Sequence, residues 1–564
     1  MAWADRYNLL VTPAQMRVLD QAAIHDYGIP GLILMENAAS GIADYIVSHM
    51  NETPGQDTGR NGDYDRGRGP ERDDGDNHTR NRDRSDEYDR SRVRDRSVLV
   101  VCGRGNNGGD GFAVARKLSL RGYGVFVLVL AARDDILGDA KTNLEICERL
   151  GLDMVFAQGN SIRDILPFCL ARADLIVDAL FGTGFRGRPE GVHETVINAI
   201  NESGKYVVSV DVPSGLDGRF GSAAGACIRA GVTLALGFYK TGLLSGPDTD
   251  YAGLVELIDI GIPDEVLAKL TPDTKIVDRQ GVMPLLAGRK RDAHKGDFGK
   301  LLIITGSPGM TGAGCLAAES ALTAGAGLVY LATPGSLAHI YETSVRETIT
   351  LCAGSNVDRV ISYDSADTIA NYAKRMDAIA IGPGMSTDQD AARAIRKIIT
   401  AVQKPLVIDA DALTAVAADM AVLKRLNAPA VLTPHEAEMG RLLGMPAAKV
   451  KRNRLALARE FAKEHGVTLV LKGRHSVIAA PDGRAYVNLT GNPGMATAGA
   501  GDVLTGLIAT LIGAGLAVTD AAVAAVHLHG LAGDLAAAEL GERSTRATDI
   551  IRYMHKAFQA VNQK

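Results

Sequence analysis

A glycine-rich turn in the C-terminal half of the chain is the segment whose residue types point most clearly to chemistry. Residues 499–501 read Gly-Ala-Gly and lead into Asp502, and an apolar helical run follows. Such a turn at a helix N-terminus directs free backbone N–H groups and the positive end of the helix dipole to one point. This arrangement favours a phosphoryl group in transit, with Asp502 placed as a general base for an attacking hydroxyl.

Other segments of this half end predicted strands and are expected to face the same cleft. They are Gly306–Ala313, Gly382–Gly384, Asp409–Leu413, Thr433–Glu438 and Lys472–Ser476. Ligands of parallel sheets bind at the carboxyl ends of the strands, so the segments should converge. Each alone is a weak signal, and a Lys-Gly pair is more often a hairpin turn. Their order, ending in the turn before Asp502, is a strong one.

The first half contains a different loop, after a predicted strand at residues 97–102. Residues 103–108 satisfy G-x-G-x-x-G between a strand and a helix predicted from Phe112, the context of a dinucleotide-binding loop. The acid expected about 20 positions further on is missing, because the first candidate, Asp134, comes only after Arg133. Polar side chains also crowd the loop, which argues against a plain dehydrogenase: Asn106, Asn107 and Asp110.

Two further predicted strand ends carry aspartates, Asp178 and Asp211, and should lie at the same sheet edge. An aspartate there can simply cap the next helix, so each alone is compatible with a structural role. Together, Asn107, Asp178 and Ser214 offer only hard oxygen ligands with a single carboxylate. Such a set suits a monovalent or weakly held hard cation better than zinc.

Four segments of the first half resemble the NAD(P)H-hydrate epimerase family: Gly31–Ala39, Asn106–Gly111, Gly182–Gly187 and Asp211–Gly215. The resemblance implies a three-layer α/β fold that interconverts the R and S forms of hydrated NADH and NADPH. It also implies potassium at Asn107, Asp178 and Ser214. By the same resemblance the hydrate contacts Asn106, Asn107, Gly108, Gly109, Asp110, Gly182, Thr183, Gly184, Phe185, Arg186, Gly187, Arg188 and Asp211.

The chemistry of epimerisation is compatible with these residues. The hydrate carries a hydroxyl on the carbon beside the ring nitrogen, so acid assistance expels it and leaves an iminium-like cation. Water then returns to either face. Asp211 is the predicted proton carrier, since Asp178 would be occupied by the cation.

The order of segments in the second half resembles the ribokinase-like superfamily. Sugar and vitamin kinases of that group usually have Asn at the position of His435. Together with His294–Gly299 and Asn492–Thr497, this change resembles the NAD(P)H-hydrate dehydratase branch. Ala498 and Ala500 stand where that branch more often has Gly and Thr, but the backbone donors survive both changes.

The resemblance to the dehydratase branch implies specific roles for residues of the second half. Gly384 and His435 would contact the hydrated nicotinamide, and Asp502 would face the substrate hydroxyl. The nucleotide would contact Lys472, Gly473, Arg474, His475, Ser476, Gly499, Ala500 and Gly501. ADP is the expected phosphoryl donor, as in fused two-domain members, although the sequence leaves ATP open. Phosphorylation turns the hydroxyl into a good leaving group, and Glu438 would support Mg²⁺ through water.

The elements that must position these residues alternate regularly between strand and helix. Predicted strands are 97–102, 125–130, 175–178, 206–211, 232–236 and 254–259, then 300–305, 327–332, 378–381, 406–409, 430–433, 468–471 and 476–480. The alternation indicates parallel βαβ units. We therefore predict two three-layer αβα domains with mainly parallel sheets: a Rossmann-like domain at 1–265 and a ribokinase-like domain at 275–564.

Composition sets wider limits on the protein class. The chain has 564 residues, 46% hydrophobic content, 63 glycines and a net charge of −5, which fits α/β architecture and argues against a nucleic-acid binder. Six cysteines without a Cys-x-x-Cys pair indicate reduced thiols. We find no signal peptide and no apolar run of roughly 18–20 residues. We expect a cytoplasmic homo-oligomer that binds neither membrane nor nucleic acid.

A charged insertion at about 51–96 stands apart, because residues 51–92 contain no Ala, Val, Ile, Leu, Met, Phe, Trp or Cys. Such a segment cannot bury enough apolar surface to offset chain entropy, so we expect disorder. Its charges nearly cancel, which makes RNA binding a weaker alternative than a solvated insertion.

The main hypothesis is a bifunctional enzyme that repairs NADH and NADPH. The enzyme alternative is a vitamin or sugar kinase fused to a dinucleotide-binding domain, and His435 counts against it. A non-catalytic nucleotide sensor is a third class, and the intact Asp110, Asp178 and Asp211 argue against it.

Overall fold

The computed structural model describes residues 8–52, 96–157, 161–270, 273–286, 288, 291–355 and 358–562. Residues 53–95 of the charged insertion, for which we expected disorder, lie outside the described residues. The strands are β1 (Leu10–Val11), β2 (Ser97–Cys102), β3 (Gly124–Val129), β4 (Asp153–Phe156), β5 (Leu175–Ala179), β6 (Tyr206–Val210), β7 (Val232–Leu236), β8 (Tyr239–Lys240), β9 (Leu254–Ile258), β10 (Thr274–Val277), β11 (Lys300–Ile304), β12 (Leu328–Pro334), β13 (Ile349–Ala353), β14 (Ala378–Ile381), β15 (Leu406–Ile408), β16 (Ala430–Leu432), β17 (Thr468–Leu471), β18 (Val477–Ala479) and β19 (Ala485–Asn488).

The α-helices occupy the connections between these strands and the C-terminal end of the chain. They are α1 (Pro13–His25), α2 (Gly31–Glu52), α3 (Asn106–Leu120), α4 (Gly138–Arg149), α5 (Ile162–Arg172), α6 (Val192–Glu202), α7 (Thr241–Ser245), α8 (Arg279–Val282), α9 (Thr311–Thr323), α10 (Ala338–Ser344), α11 (Ala366–Ala373), α12 (Gln389–Ala401), α13 (Ala410–Ala417), α14 (Glu436–Leu443), α15 (Ala447–Arg452), α16 (Arg454–His465), α17 (Ala500–Gly513), α18 (Val518–Leu540) and α19 (Ala547–Asn562).

The first half is built on a parallel sheet whose strands, among the described residues, follow the order β4-β3-β2-β5-β6-β7-β9. Successive side chains of β2 point to opposite faces. Val98 and Val100 pack in the core beneath α1–α4, and Leu99 and Val101 pack in the core beneath α5 and α6. Helices therefore cover both faces, which confirms the predicted three-layer αβα arrangement.

The second half has the same layering on a larger sheet. Its described strands follow the order β10-β19-β18-β17-β16-β15-β14-β11-β12-β13, with β18 antiparallel to both of its neighbours and every other pair parallel. Leu301 packs in the core with α9 and α17–α19, whereas Leu302 packs with α11–α14 and α16 on the other face. The mainly parallel sheet predicted for this half is confirmed.

Each sheet has one point where the chain reverses its direction of winding, and ligands of open α/β sheets bind there. In the first sheet this point lies between β2 and β5, so the residues after Cys102 and Ala179 face one crevice. In the second it lies between β11 and β14, which brings together the residues after Ile304 and Ile381. The topology thus places the glycine-rich segments of each half at a sheet edge.

Two expectations from sequence were wrong. α3 begins at Asn106, not at Phe112, with Gly105 as its N-cap, so the polar residues 106–110 form the first helical turn. α18 is long and apolar enough to cross a membrane by composition, although we had found no such run. In the fold, 67% of its apolar window is buried and it packs against α17 and α19, as a core helix does.

Candidate active sites

The first half contains a cavity of about 1200 Å³ at the crevice between β2 and β5. It is lined by most of the predicted substrate residues: Asn106, Asn107, Asp110, Gly182, Thr183, Gly184, Phe185, Arg186 and Asp211. Gly108, Gly109, Gly187 and Arg188 do not line it. An added Cβ at Gly108 would lie 2.0 Å from the Gly103 carbonyl oxygen, so this glycine serves helix packing. Arg188 instead lies within ion-pair distance of Glu190 and Glu194.

Hydrogen bonds around Phe181 join the three predicted strand-end segments. The Asn107 side-chain amide donates to the Phe181 carbonyl oxygen at 3.0 Å. The Phe181 backbone N–H donates to Ser214 Oγ at 2.8 Å. The segments after β2, β5 and β6 therefore meet, as the parallel topology predicted.

The three predicted potassium ligands lie together, but protein donors already surround the Asp178 carboxylate. Ser214 donates to it through its backbone N–H at 2.9 Å and through Oγ at 2.5 Å. Ser209 Oγ (2.9 Å) and the Leu180 N–H (3.3 Å) add two more hydrogen bonds. Burial raises the pKa of Asp178, and these hydrogen bonds oppose that rise. A carboxylate has about four lone-pair sites, and the four hydrogen bonds already occupy them. A cation therefore fits here only if the Ser214 hydroxyl rotates and stops donating to Asp178.

Asp211 lies on the cavity wall in a left-handed backbone conformation, with φ of 67°. Its carboxylate accepts a hydrogen bond from the Leu236 N–H at 3.0 Å and forms an ion pair with the fully buried Lys240 ammonium. That ammonium also donates to the Leu236 carbonyl oxygen at 2.6 Å. Asp211 is thus part of a fixed ion pair within the substrate cavity.

Sequence reasoning missed several charged residues of this cavity, among them Asp20 and Lys240, whose charges act on each other. Burial raises the pKa of Asp20 to about 6, with Lys240 lowering it and Asp211 raising it. The signal was available for Asp20, because it interrupts the apolar stripe of α1 four residues after Met16. The position of Lys240 depends on the pairing of β8 with β1, which we did not predict.

The second half brings Asp502 next to a buried network of charges. Asp502 lies on the first turn of α17, whose N-cap Gly499 has φ of 91°. Lys472 Nζ lies 2.9 Å from Asp409 Oδ1 and 3.9 Å from Glu438 Oε2. Burial and the charge of Asp409 together raise the pKa of Asp502 to about 7, and Lys472 opposes the rise.

Gly501 lets the Lys472 ammonium approach the N-terminus of α17. A Cβ added at Gly501 would lie only 3.2 Å from Lys472 Nζ. Burial alone would lower the pKa of Lys472, but Asp409 and Glu438 together raise it. Thr505 Oγ1 donates to the other Asp409 oxygen at 2.8 Å, which fixes the carboxylate. The helix N-terminus and a held ammonium therefore combine into a positive region beside Asp502.

His435 caps α14, which gives it a structural role at the cleft. Its Nδ1 accepts hydrogen bonds from the N–H groups of Ala437 (3.1 Å) and Glu438 (3.3 Å). Nε2, the other ring nitrogen, lies 3.5 Å from Glu438 Oε1. Gly384, with φ of 60°, packs against the Gly306–Ala313 segment, since an added Cβ would lie 2.4 Å from the Met310 carbonyl oxygen.

Two side chains of the turn after Lys472 contact the first half of the chain. Arg474 forms an ion pair with Asp250, and His475 Nδ1 lies 2.8 Å from the Leu244 carbonyl oxygen in the first half. Burial, assisted by the charge of Arg474, lowers the pKa of His475 to about 4. Within the predicted 472–476 segment, the Lys472 side chain joins the charge network around Asp409. The Arg474 and His475 side chains point toward the first half of the chain.

Within the described ranges, no group of three His, Cys, Asp or Glu side chains is arranged to hold a metal ion. This does not conflict with Mg²⁺, which is commonly held by one or two carboxylates together with substrate phosphates. Glu438 Oε2 accepts a hydrogen bond from the backbone N–H of His435 at 2.8 Å, and the Glu438 carboxylate lies beside Lys472.

Comparison with known proteins identifies the family. Residues 301–556 match the family described as NAD(P)H-hydrate dehydratase, and residues 31–242 match the YjeF-related protein N-terminus. The chain is 40% identical to the bifunctional NAD(P)H-hydrate repair enzyme of Moorella thermoacetica over 97% of this chain and 96% of that protein. The chain belongs to the bifunctional NAD(P)H-hydrate repair enzymes. A similar repair enzyme, from Escherichia coli K12, is 35% identical over 82% of this chain and 85% of its own length.

A crystal structure is also similar to this repair enzyme. It is the ADP/ATP-dependent NAD(P)H-hydrate dehydratase of Bacillus subtilis co-crystallised with ATP and Mg²⁺, with 28% identity, coverage of 51% of this chain and 98% of that chain, and a TM-score of 0.44. Family membership confirms the main hypothesis, an enzyme with both activities, over the small-molecule kinase.

Proposed function

We propose that residues 1–265 interconvert the R and S forms of NADH and NADPH hydrate, and that residues 275–564 dehydrate the S form. In this proposal ADP supplies the phosphoryl group and leaves as AMP. The observation that carries it is the placement of Asp502 on the first turn of α17, beside the positive region formed by Lys472. The separate sheets of the two halves support the division of the chain.

In the dehydratase half, Asp502 takes the proton of the substrate hydroxyl as its oxygen attacks the terminal phosphorus of ADP. The N–H groups of residues 499–501 and the Lys472 ammonium stabilise the charge on the transferring oxygens. Phosphate then leaves with the C–O electron pair, assisted by the ring nitrogen. Loss of a proton from the adjacent carbon restores the reduced nicotinamide. His435 and Gly384 are the proposed contacts of the hydrated ring.

Two metal ions belong to the proposal. Mg²⁺, supported by Glu438 through water, would neutralise phosphate charge when bound. Potassium at Asn107, Asp178 and Ser214 is supported by the all-oxygen donor set and by their meeting around Phe181. Its binding requires rotation of the Ser214 hydroxyl.

Nucleotide contacts from 472–476 are proposed through Lys472 and the backbone of the turn, because the Arg474 and His475 side chains have other partners. We also propose a cytoplasmic location, supported by six cysteines, all described, that form no disulfide. A homo-oligomer is the expected assembly, and light scattering on the purified protein measures it.

The test is to mix purified protein with both epimers of NADH hydrate, Mg²⁺, K⁺ and either ADP or ATP. The return of reduced-nicotinamide absorbance is then followed. Full recovery with ADP supports both activities, and full recovery only with ATP corrects the donor. Recovery of the S form alone contradicts the epimerase assignment. No recovery with either nucleotide, together with a stable phosphorylated product, restores the kinase alternative.

A further inference from the structure

One ammonium and three carboxyl groups meet at the wall of the first-half cavity. Asp20 comes from α1, Asp110 from the first turn of α3, Asp211 follows β6, and Lys240 ends β8. Lys240 is fully buried and Asp110 is 8% exposed. Asp211 is also 8% exposed, and Asp20 is half-buried. One buried cation does not neutralise two buried carboxylates and a half-buried one, and buried unpaired charge is costly, so the cluster favours holding a proton.

Asp211 is poorly placed to hold that proton. Its Oδ1 accepts from both the Lys240 ammonium and the Leu236 N–H. An ion-paired carboxylate accepts hydrogen bonds and has no proton to give. Its left-handed backbone further ties it to this arrangement, because the strain is sustained by the surrounding contacts.

Asp110 has the opposite surroundings. It faces the cavity, and no hydrogen-bond donor from the described part of the chain contacts its carboxyl group. Burial raises the pKa of Asp110 well above its usual range, the charges of Asp211 and Asp20 raise it further, and Lys240 opposes them. A protonated carboxyl group that faces a substrate cavity with no protein partner is free to donate to a ligand.

The other charged groups around Asp110 do not alter this picture. Cys102, at the end of β2, is fully buried and burial raises the pKa of its thiol, so it stays neutral. Glu36 on α2 is within ion-pair distance of Arg116 and Lys117. The remaining charged side chains of the cavity wall are exposed or half-buried, where water screens them: Arg17, Arg104, Asp135, Asp139 and Arg186. Burial lowers the pKa of His193, also on this wall, which favours its neutral form.

We propose that Asp110, and not Asp211, gives a proton to the departing hydroxyl and takes one from the returning water during epimerisation. The Asp211–Lys240 ion pair and Asp20 then act as positioning residues around it. The inference rests on the proposed epimerase function of this cavity. It revises the sequence-based prediction that Asp211 carries the proton.

The step balances without another reactant. As the C–O bond beside the ring nitrogen breaks, the nitrogen lone pair forms a C=N bond. The oxygen keeps the bonding electrons, takes the Asp110 proton and leaves as water. Water then adds to the other face of the iminium carbon, its proton returns to the Asp110 carboxylate, and the nitrogen recovers its lone pair.

The experiment measures conversion of the R hydrate to the S hydrate by chromatography without nucleotide, so the dehydratase half is not needed. Asp110→Asn is expected to lower kcat by about 10²- to 10⁴-fold, the usual contribution of an acid–base group, with little change in KM. Asp110→Glu should recover part of the rate. Thermal unfolding of the same variants, compared with the wild type, shows that both halves fold.

The pH profile separates Asp110 from a purely structural role. Wild-type kcat/KM should fall as the pH rises through the raised Asp110 pKa, because the donor loses its proton. Asp20→Asn removes a like charge and should move this fall to lower pH. Asp211→Asn should lower the rate and keep the fall, moved to lower pH because Asp211 also raises the pKa of Asp110. The matched control is Asp134→Asn, because Asp134 is an exposed acid outside the cavity. It should change neither the rate nor the pH at which kcat/KM falls.

Normal turnover in Asp110→Asn, or an unmoved profile in Asp20→Asn, would overturn the assignment to Asp110. Loss of the pH-dependent fall in Asp211→Asn alone would return the role to Asp211. If the wild-type protein does not interconvert the epimers at all, the proposed epimerase function itself fails, and the inference fails with it.

Discussion

At the scale of single residues, Asp502 carries the dehydratase proposal. Asp502→Asn removes the proposed base but keeps the size of the side chain. Dehydration of the S hydrate should fall by about 10²- to 10⁴-fold, because no other group takes the hydroxyl proton. Recovery of reduced-nicotinamide absorbance with ADP measures this. Conversion of R to S hydrate should persist, and retained dehydration would contradict the base assignment.

The raised pKa of Asp502 gives a second residue-scale prediction. A base works when deprotonated, so kcat/KM for dehydration should rise with pH through about 7, the pKa of Asp502. Lys472→Met removes the ammonium that lowers this pKa, so the rise should move to higher pH. A profile that stays in place in the variant would show that Lys472 does not act on the base.

The sequence could predict these residue types but not their states. The order of glycines before Asp502 identified the helix N-terminus, since a glycine-rich turn before an apolar helical run is a local pattern. The pKa of Asp502 depends on Asp409 and Lys472, which are distant along the chain. The sequence did not predict that His435 caps α14, because histidine is not among the usual N-cap residues, and the observed hydrogen bonds were needed to show it.

At the scale of elements, α3 must lie very close to the sheet edge for Asn107 and Asp110 to face the cavity. Gly108→Ala places a Cβ 2.0 Å from the Gly103 carbonyl oxygen, so the helix must move. We expect a loss of about 1–3 kcal/mol in the free energy of unfolding, as for overpacked sites. Denaturant titration measures the loss.

The control for this prediction is Gly105→Ala, the N-cap of the same helix. An added Cβ at Gly105 meets nothing within 4 Å, and the cap makes no side-chain hydrogen bond. We expect a loss of about 0.5–1 kcal/mol, the usual difference between Gly and Ala at an N-cap, and thus a smaller loss than at Gly108. Equal effects from the two variants would contradict the close packing of α3.

The element predictions worked best where the sequence pattern is local. Strands such as 97–102 and 232–236 are apolar runs, and their bounds were confirmed. The short strands β1, β4, β8, β10, β13 and β19 were missed. β1 and β8 have two residues each and exist only because they pair with each other, so no local pattern marks them.

At the scale of the whole molecule, β1 connects the two halves. It pairs with β8 of the first half, while the adjacent Leu9 bridges Lys275 of the second. Leu10, 2% exposed, packs in a cluster that includes Val212 of the first half and Val487 of the second. The two halves therefore share buried apolar surface.

Leu10→Ala is expected to lower the free energy of unfolding by about 2–4 kcal/mol, the usual cost of a large-to-small change in a core. Because the cluster belongs to both halves, both activities should be lost at a lower temperature. Thermal inactivation of epimerisation and dehydration, measured in parallel, checks this. Val18→Ala, at a site 43% exposed on α1, is the control. Loss of one activity alone would show that the halves unfold independently.

The sequence by itself determined the two α/β halves, the family, and the segments that line each sheet edge. These follow from local patterns, because strand-to-helix alternation and glycine-rich turns lie in short stretches of chain. Only the tertiary structure decided which charged groups act on one another's pKa. They are Asp20, Asp110 and Asp211 around Lys240, and Asp409 and Asp502 around Lys472. Proton affinity depends on burial and on neighbouring charges in space, and those neighbours come from strands and helices far apart in the sequence.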